Sequence, residues 1–236
     1  MILKELVKGI FIFTFISLFF LGCNNKEQNS EITTVNIIAL MKPKEGKADE
    51  LKKSLLALVK PTHSEEGCIA YSVYEEQNGS LFLHEVWRSQ TDLDKHLKKE
   101  YLVGFVNKMD SLLDGKNNAY FGNLISNSKV SRPSSQGESA AVYIVSIKQA
   151  RESKSKELRN SLLSLVRSTL SEHGCLTYDI YEDDNGTFFM YEAWRSQEDL
   201  DRHLQQPYLK EFKNKSSDFL ESNIVRFGKL ISKTKD

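Results

Sequence analysis

One stretch of this chain occurs twice. Residues 71–102, YSVYEEQNGSLFLHEVWRSQTDLDKHLKKEYL, return 107 positions later, without a gap, as residues 178–209, YDIYEDDNGTFFMYEAWRSQEDLDRHLQQPYL. A duplicated 236-residue chain must fold as two like units, each of about 90 to 100 residues and large enough for its own core.

Within the repeat, alternating apolar residues run into Asn78-Gly79, a dipeptide suited to a type I′ turn, and a second alternating run follows. That is a β-hairpin. Its second strand ends in Glu85-Val86-Trp87-Arg88, and Ser89 then opens a helix as N-cap, with Asp92 three residues on to favour the helix dipole. His96 lies one turn after Asp92, beside Leu93 and Leu97. Glu85, Trp87 and His96 therefore become candidates for one neighbourhood, repeated as Glu192, Trp194 and His203.

The start of the chain has a different character. Lys4 and Lys8 precede a short apolar run over 9–21, too brief for a comfortable membrane span, and Gly22-Cys23 follows. This resembles a bacterial lipoprotein signal over 1–23, with Phe20-Leu21-Gly22-Cys23 as its lipobox. The resemblance implies a mature N-terminus at Cys23 carrying diacylglycerol, and a cell-envelope protein lipid-anchored to a membrane on its extracytoplasmic side. A plain secretory signal or an uncleaved anchor is the competing reading. Polar residues 24–32 form a tether. Lys+Arg and Asp+Glu both number 32, so no basic field points to nucleic acid as a partner.

The first unit spans 33–126 and the second 141–233, separated by a Ser-rich linker over 127–140. In each, a β-branched strand (33–41 in the first) precedes a helix whose Leu51, Leu55, Leu58, Val59 and Thr62 share a stripe. Pro61 should loosen the last turn of that helix, and Gly67 should end it. The hairpin, a second helical region and a final strand over 118–126 complete the order β-α-β-β-α-β. The fold class is α+β, two ferredoxin-like (βαββαβ) units. Relative to the first unit, the second lacks one residue near Ser222, which is expected to fall in a loop. Both faces of each sheet look apolar, since Tyr71 and Val73 alternate with Ala70 and Tyr74, and Phe82 with Leu83. The second face needs a cover, and the other copy is the simplest one.

Gly67-Cys68-x-x-Tyr71, Glu85-x-Trp87 and His96, with their counterparts in the second unit, resemble the antibiotic biosynthesis monooxygenase (ABM) family, which includes quinol monooxygenase-like members. The family pattern has a second His five residues after the first; here Tyr101 and Tyr208 stand there. A phenol, with a pKa near about 10, is a far poorer base than an imidazole near about 6.5. The resemblance implies a dimeric α/β barrel, formed here within one polypeptide, with a pocket in each unit. A further homodimer stays open. It also implies oxygen insertion into a phenolic or quinol-like small molecule with no cofactor, whether metal, flavin or haem.

That chemistry asks for a base, a dry aromatic pocket and a clamp on an anion. On the resemblance, His96 and His203 are the bases, polarised by Asp92 and Asp199. Trp87 and Trp194 stack on substrate, Tyr71, Tyr74, Tyr178 and Tyr181 line the pocket, and Arg88 and Arg195 hold the oxyanion. Quieter readings compete. A Trp at a strand end also suits a core, His96 beside Asp92 suits a structural pair, and Glu85 and Glu192 suit cross-strand pairing with a cation.

Cys68 and Cys175 read as small buried core residues or, in an exported protein, as disulfide partners. The sequence has no H-E-x-x-H or paired C-x-x-C pattern to suggest a metal site. A haem-degrading branch of the fold uses Asn, Trp and His; Asn36 matches the first, but Tyr143, His96 and Val106 stand at places that do not fit. The function expected is thus a cofactor-independent monooxygenase, with a non-catalytic module that binds an aromatic or lipophilic ligand as the alternative.

Overall fold

The structure is a computed structural model that describes residues 34–115, 118–126 and 140–232; the lipobox with Cys23, the tether and nearly all of the linker lie outside the described residues. The first unit runs β1 (Val35–Met41), α1 (Ala48–His63), β2 (Cys68–Glu75), β3 (Leu81–Trp87), α2 (Gln90–His96), α3 (Glu100–Val106), α4 (Met109–Leu112) and β4 (Asn118–Leu124). The second runs β5 (Val142–Ala150), α5 (Ser155–Leu170), β6 (Cys175–Glu182), β7 (Thr187–Trp194), α6 (Gln197–Leu204), α7 (Pro207–Ser216) and β8 (Leu220–Leu230). Among the described residues no helix is long and apolar enough to cross a membrane.

The eight strands close into one barrel in the order β1-β3-β2-β8-β5-β7-β6-β4. Within each unit all pairings are antiparallel, as the βαββαβ order requires. The two seams between units are short. At one, Tyr74 and Glu75 of β2 pair with Leu230 and Lys229 of β8; at the other, Asn123 and Leu124 of β4 pair with Glu182 and Tyr181 of β6. Just past each seam the chain continues the contact. Ile231 N–H donates to Val73 O and Val73 N–H to Ser232 Oγ, while Ile125 N–H donates to Ile180 O and Ile180 N–H to Ser126 Oγ.

Strand alternation sorts side chains into three cores. Under the helices of the first unit, Ile37, Ala39, Met41, Leu83 and Trp87 meet Leu51, Leu55, Leu58 and Val59 of α1. Ile144, Phe188, Met190 and Trp194 meet α5 in the same way. The opposite faces enclose Ile38, Tyr74, Phe82, Val145, Ile147, Tyr181, Phe189 and Tyr191 inside the barrel, so each copy does cover the other's second face. There Tyr74 and Tyr191 share a 2.7 Å hydroxyl hydrogen bond, and the His84 ring stacks on Tyr191 at 4.0 Å.

Local details differ from expectation in three places, the hairpin turn, the end of α1 and the place of Ser222. The hairpin turn is not type I′, because Gly79 has φ of 78° but Asn78 does not share the left-handed conformation. Gly79 N–H donates to Glu76 O and Glu76 N–H to Ser80 O, a three-residue loop closed by a left-handed glycine. α1 continues through Pro61 and ends at His63, short of Gly67. Its shared last hydrogen bond, Ser64 N–H to Lys60 O and Pro61 O, recurs at Ser171, where Ser168 replaces Pro61, so proline is not the cause. Ser222 lies in β8 beside a bulge against Gln149 and Ala150, not in a loop. Cys68 and Cys175 are buried in separate cores with no disulfide.

Candidate functional site

β2, β3 and α2 converge on His96, which is almost fully buried. β3 places Glu85 and Trp87 on the helix side, as i and i+2 must be. Gly67 lets α2 dock there, since a Cβ at Gly67 would lie 2.2 Å from the Asp92 Cβ. The Trp87 ring lies 4.4 Å from the His96 ring, and the Tyr71 ring 6.2 Å away. His96 Nδ1 is 2.7 Å from Glu65 Oε1, and the Tyr101 hydroxyl donates to the same oxygen through a very short contact. Thr62 Oγ1 lies 3.2 Å from Tyr101 OH.

With Nδ1–H donated to a carboxylate, the tautomer leaves Nε2 as the basic nitrogen, and no described residue hydrogen-bonds it. Burial pushes the Glu85 carboxyl above the ordinary range, against the opposing pull of His96 and of the Trp87 indole N–H, which donates to it at 3.0 Å. Burial and donation to Glu65 likewise raise the Tyr101 phenol, so it is a donor and not a base. The second unit repeats the cluster: His203 Nδ1 is 2.8 Å from Glu172 Oε1, Tyr208 donates to Glu172, and Trp194 donates to Glu192 at 3.1 Å.

A cavity of about 30 Å³ opens beside His96 in the first unit. Ile37, Ala39, Met41, Leu83, Leu97 and Phe105 form apolar walls, and Tyr71, Glu85 and His96 the polar end. It holds one or two water-sized molecules, far less than an aromatic ring. Glu65 and Tyr101 also line an open surface groove of about 370 Å³, so the Glu65–His96–Tyr101 cluster stands between groove and cavity.

The structure thus brings Tyr71, Glu85 and His96 together and separates other residues expected with them. Asp92 does not polarise His96. Its carboxylate is taken by Arg88 at 2.9 Å and by Ser89, and the arginine holds it well down, at about 2. Asp199 is likewise bound to Arg195, Ser196 and Arg202, and not to His203. Arg88 and Arg195 are spent on those carboxylates, with Arg88 also on Glu66, so neither clamps an anion in the cavity. Trp87 and Trp194 are fully buried, each with its ring against a histidine. Tyr74 and Tyr181 point into the barrel, away from His96, because three residues along a strand reverses the face on which Tyr71 and Tyr178 lie. Glu85 and Glu192 accept from tryptophan instead of pairing with a cation across the sheet.

The residues missed are Glu65 and Glu172. Each stands two positions before the Gly-Cys dipeptide in both units, and that repetition was the available signal. Among the described residues no group of three or more His, Cys, Asp or Glu could hold a metal ion.

The family model described as antibiotic biosynthesis monooxygenase matches residues 34–108 and again 141–215. An uncharacterized protein of Synechocystis sp. is 41% identical over 59 residues, 24% of this chain, and the chain spans 40% of that relative's length. A Mycobacterium tuberculosis protein named as a putative monooxygenase is 32% identical over 80 residues, covering 34% of this chain and 79% of the relative. Among solved structures, a putative monooxygenase of Fusobacterium nucleatum superposes with a TM-score of 0.71 at 13% identity, covering 87% of this chain and 95% of its own. An anthrone oxidase-like protein does so with a TM-score of 0.66 at 10% identity, covering 87% and 94%. At such identities these structures show the shared two-unit fold alone.

Proposed function

The chain belongs to the antibiotic biosynthesis monooxygenase family, and from that premise we propose that it oxidises a phenolic or quinol-like small molecule with dioxygen and no cofactor. The observation that carries this reading is the buried Glu65–His96 pair at the end of an apolar cavity, with its copy at Glu172–His203. A substrate hydroxyl gives its proton to Nε2, and Glu65 stabilises the imidazolium that forms. The phenolate then supplies electrons to dioxygen; one oxygen atom enters the substrate and the other leaves as water. Dry walls keep reactive intermediates from solvent. Because the cavity is small, substrate entry requires α3 and the residues after α2 to move, displacing Leu97 and Phe105.

Oxygen uptake with a panel of quinols tests the proposal. Saturable uptake by the wild type, abolished in the His96→Ala, His203→Ala double variant, is expected. Unchanged turnover in that variant would reject the histidines as bases, and no uptake by the wild type would reject the enzyme.

One observation favours a second reading, a module that binds an aromatic or lipophilic ligand without turnover. Tyr101 and Tyr208 occupy the family's second histidine position and are committed as donors to Glu65 and Glu172. Ligand binding without oxygen uptake would select it. We also propose that Cys23 anchors the chain to a bacterial membrane on the extracytoplasmic side; Cys23→Ala should release it to the soluble fraction, and retention would count against lipidation.

A further inference from the structure

The two units bury different chemistry at one matched place. β1 sends Ile37, Ala39 and Met41 to the cavity wall of the first unit, and β5 sends Ile144, Ser146 and Lys148 to the same place in the second. Lys148 is buried, 8% exposed, and its Nζ lies 3.0 Å from Ser146 Oγ and 3.0 Å from Asn223 Oδ1. Both partners are neutral. Glu192 on β7 acts on the amine electrostatically, yet no ion pair joins them, and its Oε2 accepts from Trp194. The second unit therefore holds a desolvated amine without a contacting counterion, an arrangement that costs stability unless something supplies the charge.

The cover over this place is also looser. α3 buries Leu102, Phe105 and Val106, whereas α7 buries no residue. Leu204, the counterpart of buried Leu97, is 53% exposed, and Phe227, the counterpart of cavity-lining Phe121, is 48% exposed.

We propose that the second unit binds an organic anion, a carboxylate or phenolate on an otherwise apolar aromatic molecule, with the Lys148 ammonium as the charge partner. Ser146 and Asn223 orient the amine, and Met190 and Phe188 supply apolar surface on the same core face. Burial lowers the amine to about 8, with Glu192 opposing, so the ammonium form still predominates at neutral pH. The proposal rests on the reading that each unit holds a ligand pocket and does not depend on turnover.

Calorimetric titration of the full chain in detergent with 2-naphthoate and with uncharged 2-naphthamide tests it. Naphthoate should bind once per chain and at least tenfold more tightly than naphthamide, and Lys148→Met, which installs the first unit's residue, should lose at least tenfold in naphthoate affinity alone. Equal affinity for the two probes, unchanged naphthoate affinity in Lys148→Met, or binding of neither probe would overturn the proposal. A second measurement stands whatever the variant's folding. The carboxylate of the probe stays ionised above about pH 6, so wild-type affinity should fall as pH rises from about 7 to 9.5 and the ammonium is lost. Around the amine, β7 contributes the ionisable Glu192 and β8 and β5 the neutral Asn223 and Ser146. Affinity that is flat across that range would also overturn it.

Discussion

In the first unit Leu97, Phe105 and Val106 are buried; in the second, Leu204, Phe212 and Lys213 stand at the matched positions of the sequence, and exposed Leu204 leaves the cover partly open. The Glu–His–Tyr clusters beneath do not diverge in this way. Glu65–His96–Tyr101 and Glu172–His203–Tyr208 agree to within about 0.1 Å at the His–Glu contact. Duplication has kept one cluster twice while the walls around it drifted toward different contents. What is shared is the Glu–His–Tyr geometry, and what differs is the wall around it.

The comparison is broken most sharply by the histidines. If both clusters work, His96→Ala and His203→Ala should each remove part of the oxygen uptake, and together about 100-fold or more. A single variant that removes it all would show that one unit alone turns over. The paired glycines come next. A Cβ at Gly67 meets Asp92 at 2.2 Å and one at Gly174 meets Asp199 at 2.2 Å, but only Gly174, with φ of 88°, is also in the left-handed region. Gly174→Ala should cost about 4 kcal/mol and Gly67→Ala about 1 kcal/mol less, read from urea midpoints. Equal losses would mean that close approach alone decides.

Lys148 sharpens the contrast in stability. Its amine, ordinarily at 10.5, is lowered to about 8, so the stability permitted by a neutral amine is complete above 10.5 and lost as pH falls through 8. Lys148→Met should therefore raise stability at pH 7 by about 1 to 3 kcal/mol, partly offset by the hydrogen bonds lost. His84 gives an effect confined to acid. Burial lowers it from 6.5 to about 3, whereas its counterpart is Tyr191. Stability is intact above pH 6.5 and falls as pH drops toward 3, by at most about 1.4 kcal/mol per unit. His84→Phe should flatten that decline in acid unfolding curves.

How far the sequence could be read follows from periodicity. The hairpins, the stripe of α1 and the two-faced sheet were legible because side chains at fixed spacing report their own facing, and the repeat supplied the cover for the second face. Glu85 and His96 follow from strand and helix spacing, and Tyr71 from the family resemblance. Glu65 escaped it, since it sits in the segment between α1 and β2, where spacing carries no directional information. Asp92 was misread for a related reason. Four residues apart on a helix places Asp92 near His96, but the same distance in sequence also places it near Arg88, and a bidentate guanidinium is the stronger competitor for a carboxylate. Nor could alternation reveal that histidine would take the tryptophan face meant for substrate.

The seams carry one more consequence. Each unit ends by passing its last residues to the other's hairpin, Ile231 and Ser232 onto Val73, Ile125 and Ser126 onto Ile180. Such reciprocal clasping makes the covalent bridge between the halves an aid to encounter more than a source of cohesion. Proteolytic scission within residues 127–139 should leave two fragments that travel together, a heterodimer recovered from a gene that had fused it.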